Sequence, residues 1–173
     1  MEFLELAKSR YSVRKFDKKQ VEQEKLDKIL LAGHIAPTGC NYQPQRVIVL
    51  NDQNSLEKLK LCTKYHFDCP LALIVCYNSN ECWTRKYDGV QCGMVDASIV
   101  TTHMMLQAWE LGVGTTWVMS FNPQELKKQF NIPDELIPTA ILTLGYPAED
   151  CPVNPLHYKT KPIEEVVYYN EIK

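Results

Sequence analysis

The chain has 173 residues, with 19 basic and 21 acidic side chains and a formal net charge of −2. That length favours one domain over residues 1–173, which buries about 70% of its unfolded-chain surface and needs no disulfides for a core. Balanced charge without a long basic tract argues against a protein that tracks nucleic-acid phosphates, and no apolar run is long enough to cross a membrane.

The seven cysteines contain no C-x-x-C pair, and Glu2, Glu5, Lys8 and Arg10 interrupt any apolar run at the start. Reduced thiols, no secretory signal and a cytoplasmic location are expected. Phe3, Leu4 and Ala7 stand at helical spacing before Ser9 and deliver the chain to Arg10-Tyr11-Ser12-Val13-Arg14-Lys15-Phe16. Arg10, Ser12 and Arg14 alternate, so an extended backbone points all three one way. Two guanidiniums and a hydroxyl suit a phosphate or another planar anion, although a solvated basic turn has the same composition.

After a polar break at Asp17–Gln20, Val21–Ile35 reads as a helix with Leu26, Ile29, Leu30 and Gly33 on one stripe, stopped by Pro37. Ala36 to Pro44 is too rich in turn formers to be regular, and Asn41 and Gln43 offer paired donors and acceptors to a heterocycle edge. The same stretch also suits an ordinary helix-to-strand loop. Val47–Leu50 is a strand and Ser55–Tyr65 a helix. Cys62, His66 and Cys69 are spaced like metal ligands, but a fourth ligand is missing and no metal is expected.

Leu71–Tyr77 is a strand. In the polar stretch Asn78–Gly89, Trp83 and Tyr87 either line a pocket or pin the loop to the body. Val90–Leu111 is a helix apolar on almost every side, hence a core or subunit-interface helix. It carries Asp96, His103 and Gln107, and His103 reads as a satisfied core histidine. Gly112 and Gly114 end it, and Thr115–Met119 is β-prone. Asn122-Pro123-Gln124-Glu125 opens a further helix with a capping residue, proline at N1 and an acid at N3. Thr139–Tyr146 is a strand, Asp150–Lys161 is irregular, and Ile163–Tyr169 is a closing segment, partly extended or docked on a neighbour. Four strands and four or five helices without strict alternation predict α+β with one mixed or antiparallel sheet flanked by helices. No dinucleotide fingerprint, P-loop, zinc-protease helix or nucleophile elbow is present, so a bound cofactor is expected to carry any chemistry.

Five segments, in order, resemble the nitroreductase family of FMN-dependent NAD(P)H oxidoreductases in its short single-domain form. Arg10-x-Ser12-x-Arg14 is similar to the opening R-x-S-x-R/K motif. Ala36-Pro37-Thr38-x-x-Asn41-x-Gln43-Pro44 is similar to the A-P-S/T-x-x-N-x-Q-P loop. Leu111-Gly112-Val113-Gly114-Thr115-x-Trp117 and Leu144-Gly145-Tyr146-Pro147 resemble two later family segments, and Lys159-x-Lys161-Pro162-x-Glu164-Glu165-Val166 resembles its close.

The resemblance implies a nitroreductase-like fold, an intertwined homodimer and FMN at the subunit interface. It implies that Arg10 with Lys159 and Lys161 holds the phosphate, that Ser12 meets the polar edge or ribityl chain, and that Arg14 sits by the pyrimidine edge. Pro37, Thr38, Gly39 and Asn41 would reach the partner's FMN, and Trp117, Val118, Met119 and Ser120 would pass the ring, with a backbone N–H meeting N5. NADH or NADPH is the implied reductant, and nitroaromatics or quinones are the implied acceptors in a ping-pong cycle. Other flavin chemistry (dehalogenation, flavin fragmentation) or a non-catalytic flavin-binding or redox-sensing module are the alternatives. Trp83 and Tyr87 are the substrate-lid candidates. Two departures stand out: Gln45 replaces the usual tryptophan after Gln43-Pro44, and only lysines occupy the C-terminal basic positions.

Overall fold

Leu71, Leu73 and Val75 join one apolar cluster and Ala72, Ile74 and Cys76 another, so a single strand feeds two cores. All six side chains are fully or nearly fully buried, which requires helices on both sheet faces. In this computed structural model, which describes residues 2–172, the helices are α1 (Phe3–Ser9), α2 (Gln23–His34), α3 (Gln53–Cys62), α4 (Gly93–Glu110) and α5 (Pro123–Phe130). The strands are β1 (Gln45–Leu50), β2 (Leu71–Asn78), β3 (Gly114–Val118) and β4 (Leu136–Gly145), ordered β1-β2-β4-β3 with every pair antiparallel. Helices α2 and α4 pack on one face and α3 and α5 on the other. Among the described residues, no helix is long and apolar enough to cross a membrane.

The α+β expectation holds, and its boundaries shift for local reasons. β4 begins at Leu136, ahead of the expected Thr139, although Pro138 lies inside it. A register shift between Val75 and Cys76 of β2 brings Cys76 opposite Pro138, and this irregularity accommodates a residue with no N–H to donate. α3 stops at Cys62 because Thr63 turns extended and its hydroxyl donates to the Ser120 carbonyl at 2.6 Å. α4 starts at Gly93, since residues 84 and 91 pair across a small hairpin. The Asn122 side chain caps α5 by accepting from the N–H groups of Gln124 (3.0 Å) and Glu125 (3.1 Å).

His103 is not a core residue. It is exposed on α4, its Nδ1 2.9 Å from the Ile99 carbonyl of its own helix. The start of α4 and the chain just before it are likewise only partly buried: Val90, Met94 and Val95 are 49%, 51% and 56% exposed, in a shallow apolar groove. The Asp150–Lys161 stretch, expected to be irregular, holds a short 3-10 turn at Pro155–Tyr158; the closing segment forms another at Ile163–Glu165, and Ile163, Val166 and Tyr169 face solvent.

Candidate functional site

The Arg10–Phe16 segment extends the sheet beyond β3. Ser12 pairs with Thr115 in parallel, the Val13 N–H donates to the Thr115 carbonyl at 2.9 Å, and the Thr116 hydroxyl donates to the Val13 carbonyl. The chain then turns, and Phe16 pairs with Pro147. Gly114 permits this close approach, since a Cβ there would stand 2.5 Å from Val13 Cγ2. Val13 is thus fully buried, while Arg10, Tyr11, Ser12 and Arg14 line a cavity of about 340 Å³.

Among the described residues no carboxylate pairs with Arg10 or Arg14. Arg10 is half-buried, and burial lowers its guanidinium pKa from the ordinary value. A cation withdrawn from water without a counter-charge is what an anion site needs. Lys159 and Lys161 do not line this cavity and are exposed; from the C-terminal region Asn154, Leu156 and His157 do. His157 is held there by its Nε2, 3.1 Å from the Lys8 carbonyl, and by edge contacts with the rings of Tyr11 and Tyr158. Nothing local in the sequence marks His157, which stands in an irregular tail.

The Ala36–Pro44 loop is sharply bent. Gly39–Asn41 forms one 3-10 turn, and Cys40, Asn41 and Gln43 have φ of 50°, 56° and 52°. Each non-glycine residue in this region costs on the order of 1 kcal/mol. The Gln43 N–H donates to Thr38 Oγ1 (3.0 Å) and the Gln43 side-chain amide to Asn41 Oδ1 (3.1 Å), so these two amides are partly spent on each other. Pro37 and Asn41 are exposed, and Thr38 and Gly39 partly so. Trp83 is half-buried against this loop, its Cβ 3.0 Å from where a Gly39 Cβ would lie, whereas Tyr87 is 99% exposed at the hairpin tip. The structure therefore brings Trp83 to the loop and leaves Tyr87 apart.

Strand alternation sends Trp117 to the α4 face and Val118 to the α5 face, so Met119 and Ser120 are the exposed members of the Trp117–Ser120 group. Ser120 borders a second cavity of about 540 Å³ with Thr63, Lys64 and Tyr65 opposite. Sequence reasoning missed these three, which lie far from Ser120 along the chain. Cys62 and Cys69 sit in the α3–α5 core, where burial pushes their thiols up to about 11 and about 12. His66 is taken by the Asp68 N–H at 3.0 Å.

Three buried side-chain oxygens lack a hydrogen-bond partner among the described residues: Gln45 Oε1, Asp96 Oδ2 and Thr115 Oγ1. Thr115 pairs with Ser12, Gln45 follows the Ala36–Pro44 loop, and Asp96 lies beneath Gly39. Buried polar groups are ordinarily satisfied, so Thr115 Oγ1 beside the first motif segment, and Gln45 Oε1 and Asp96 Oδ2 beside the second, mark two places built for more than packing. Guanidiniums without a carboxylate partner beside a hydroxyl suit the anionic end of a cofactor, and the exposed amide-bearing turn, a separate element of the chain, suits a polar heterocycle.

A nitroreductase family profile matches residues 7–68 and 66–146. A nitroreductase family protein from Clostridium difficile 630, known as a crystal structure, is 44% identical, superposes with a TM-score of 0.94, and is matched over 99% of this chain and 100% of its own. A Methanothermobacter thermautotrophicus protein provisionally named NADH dehydrogenase/NAD(P)H nitroreductase is 33% identical over 157 residues, covering 87% of this chain and 80% of its own. An FMN-dependent nitroreductase from Clostridium difficile R20291 is 26% identical with a TM-score of 0.77, over 98% of this chain and 100% of its own.

Proposed function

This chain belongs to the nitroreductase family, and on that premise we propose that it is a single-domain, cytoplasmic, FMN-dependent oxidoreductase using NADH or NADPH as reductant. The observation that carries this reading is Arg10: a half-buried guanidinium with no carboxylate partner, beside Ser12 and Arg14 at one cavity. The FMN-dependent relative and the provisionally named NAD(P)H nitroreductase support the choice of cofactor and reductant.

Bound FMN would supply the redox chemistry, a hydride transfer from NAD(P)H to an acceptor such as a nitroaromatic or quinone in a ping-pong cycle. The chain binds and orients. Arg10 anchors the phosphate, with His157 beside it, and the exposed Lys159 and Lys161 add point charges from the tail outside this cavity. Ser12 hydrogen-bonds the ribityl chain or ring edge. Arg14 fixes a cation by the pyrimidine edge, where two-electron reduction builds negative charge. The exposed stretch at Met119 and Ser120, following Trp117 and Val118, offers a backbone N–H to N5. Pro37, Thr38, Gly39 and Asn41 serve the flavin of the partner subunit, and Trp83, packed against that loop, covers the acceptor space.

A homodimer is supported by the apolar groove on α4 at Val90, Met94 and Val95, and by the exposed Ile163, Val166 and Tyr169 of the tail. Surface of this kind on a small subunit marks an interaction face.

The visible spectrum of the purified protein tests the reading. A flavin spectrum that anaerobic NADH or NADPH bleaches, and that a quinone or nitroaromatic restores, is expected. A bound flavin that neither nucleotide bleaches points to a binding module, and failure to take up FMN at all refutes the site.

A further inference from the structure

Asp96 lies in the first turn of α4, where an acid usually sits in solvent and complements the helix dipole. Here it is 2% exposed, and its oxygens are used unequally: Oδ1 accepts the Gly39 N–H at 2.8 Å, while Oδ2 has no partner among the described residues. Burying a carboxyl with one oxygen unsatisfied is costly, and an apolar residue would serve packing alone better. Three segments, the Gly39 turn, the Trp83 loop and the start of α4, come together around Asp96. The Asp96 N–H donates to the Cys92 carbonyl at 2.9 Å, and the Cys92 N–H donates to the Trp83 carbonyl at 2.8 Å. The Gly39 turn rests between them, a Cβ on it standing 3.0 Å from Trp83 Cβ and 3.8 Å from Asp96 Oδ1.

The loop beyond Gly39 holds three non-glycine residues at positive φ, a conformation that persists only where its surroundings over-determine it. The bonds from Gln43 to Thr38 and Asn41 tie the turn to itself. The Asp96–Gly39 bond instead ties its start to a long helix. We propose that Asp96 is the positioning residue of this loop, holding the Thr38–Asn41 turn in its cofactor-receiving shape before the cofactor arrives. It acts through the Gly39 N–H and touches neither cofactor nor substrate. This role rests on the flavin reading above, in which the turn meets FMN.

The test measures FMN dissociation constants by flavin fluorescence for the full-length wild type, Asp96→Ala and Asp96→Asn, with the apoprotein melting temperature of each. Asp96→Ala is expected to raise the Kd about tenfold or more. Asp96→Asn, whose amide oxygen still accepts from Gly39, is expected to stay within about threefold of the wild type. An unchanged Kd in Asp96→Ala overturns the proposal. So does an Asn variant as weak as the Ala variant, because the loss would then follow charge or folding and not the hydrogen bond. Should Asp96→Ala fail to fold, amide hydrogen exchange on the unaltered apoprotein decides. A Gly39 N–H already protected before FMN is added is expected, and exchange at the rate of an open loop refutes the clamp. A wild type that takes no FMN sinks the flavin reading, while the exchange result still judges the clamp.

Discussion

Arg10 is half withdrawn from water, and no carboxylate among the described residues offsets that loss. A phosphate would supply the missing charge and accept bonds from two edges of the guanidinium. Arg10→Ala is therefore expected to weaken FMN binding about ten- to hundredfold, the weight of one charge-assisted contact, with little change in melting temperature. Arg10→Lys should recover part of it, since lysine keeps the charge and loses the fork. Fluorescence titration reads both, and an Arg10→Ala protein that binds FMN like the wild type would remove this residue from the site. The aromatic neighbours place the same pocket from the other side: Tyr11 packs edge-on to Trp109 of α4 at 5.1 Å between centroids and also meets His157.

At the scale of elements, the site depends on how closely Arg10–Phe16 lies against β3. A Cβ at position 114 would press on two carbons of Val13, at 2.5 Å and 3.0 Å, with the Gly145 carbonyl 3.3 Å away. Val13 is fully buried and its carbonyl is held by Thr116, so it has little room to yield. Gly114→Ala should cost about 1–3 kcal/mol of stability by overpacking. It should also weaken FMN binding, because the displaced segment carries Arg10, Ser12 and Arg14. Denaturant unfolding and FMN titration check the two effects; a variant with native stability and affinity would show that the segment adapts freely. At the same end of β4, Tyr146 follows Gly145, donates to Glu22 at the head of α2 and accepts from Lys25 at 2.8 Å. The Tyr146 hydroxyl is the main cause that holds the Glu22 carboxyl down to about 2.

For the whole molecule, the groove at the start of α4 and the Ile163–Ile172 tail are apolar surfaces left uncovered among the described residues. If these are the faces of the proposed dimer, Val95→Glu places a charge in a dehydrated interface. It should raise the dimer dissociation constant about a hundredfold or more, read by sedimentation over a range of concentrations. FMN affinity should fall with it, because the loop at Asn41 would lose its partner. A wild type that stays monomeric at every concentration and still binds FMN tightly would overturn the interface reading.

Local chemistry alone determined much of this protein. Apolar periodicity placed the helices and strands, Asn122-Pro123 marked the start of α5, and the alternation of Arg10, Ser12 and Arg14 carried through to one cavity. Those features depend on neighbours within a turn or two. Which side of α4 is buried depends on what packs against it, so Val95 stands exposed on a helix whose composition suited either a core or an interface, and His103, read as a core histidine, is exposed as well. The partners of Asp96 and the place of His157 were also beyond local reading. One hydrogen bond joins Asp96 to Gly39 and another joins His157 to Lys8, and each spans a long stretch of chain. A sequence shows that such groups are present. Only the close packing of distant segments decides which donor meets which acceptor, because each bond is worth about 1 kcal/mol and the surrounding fold, not the bond, sets the geometry.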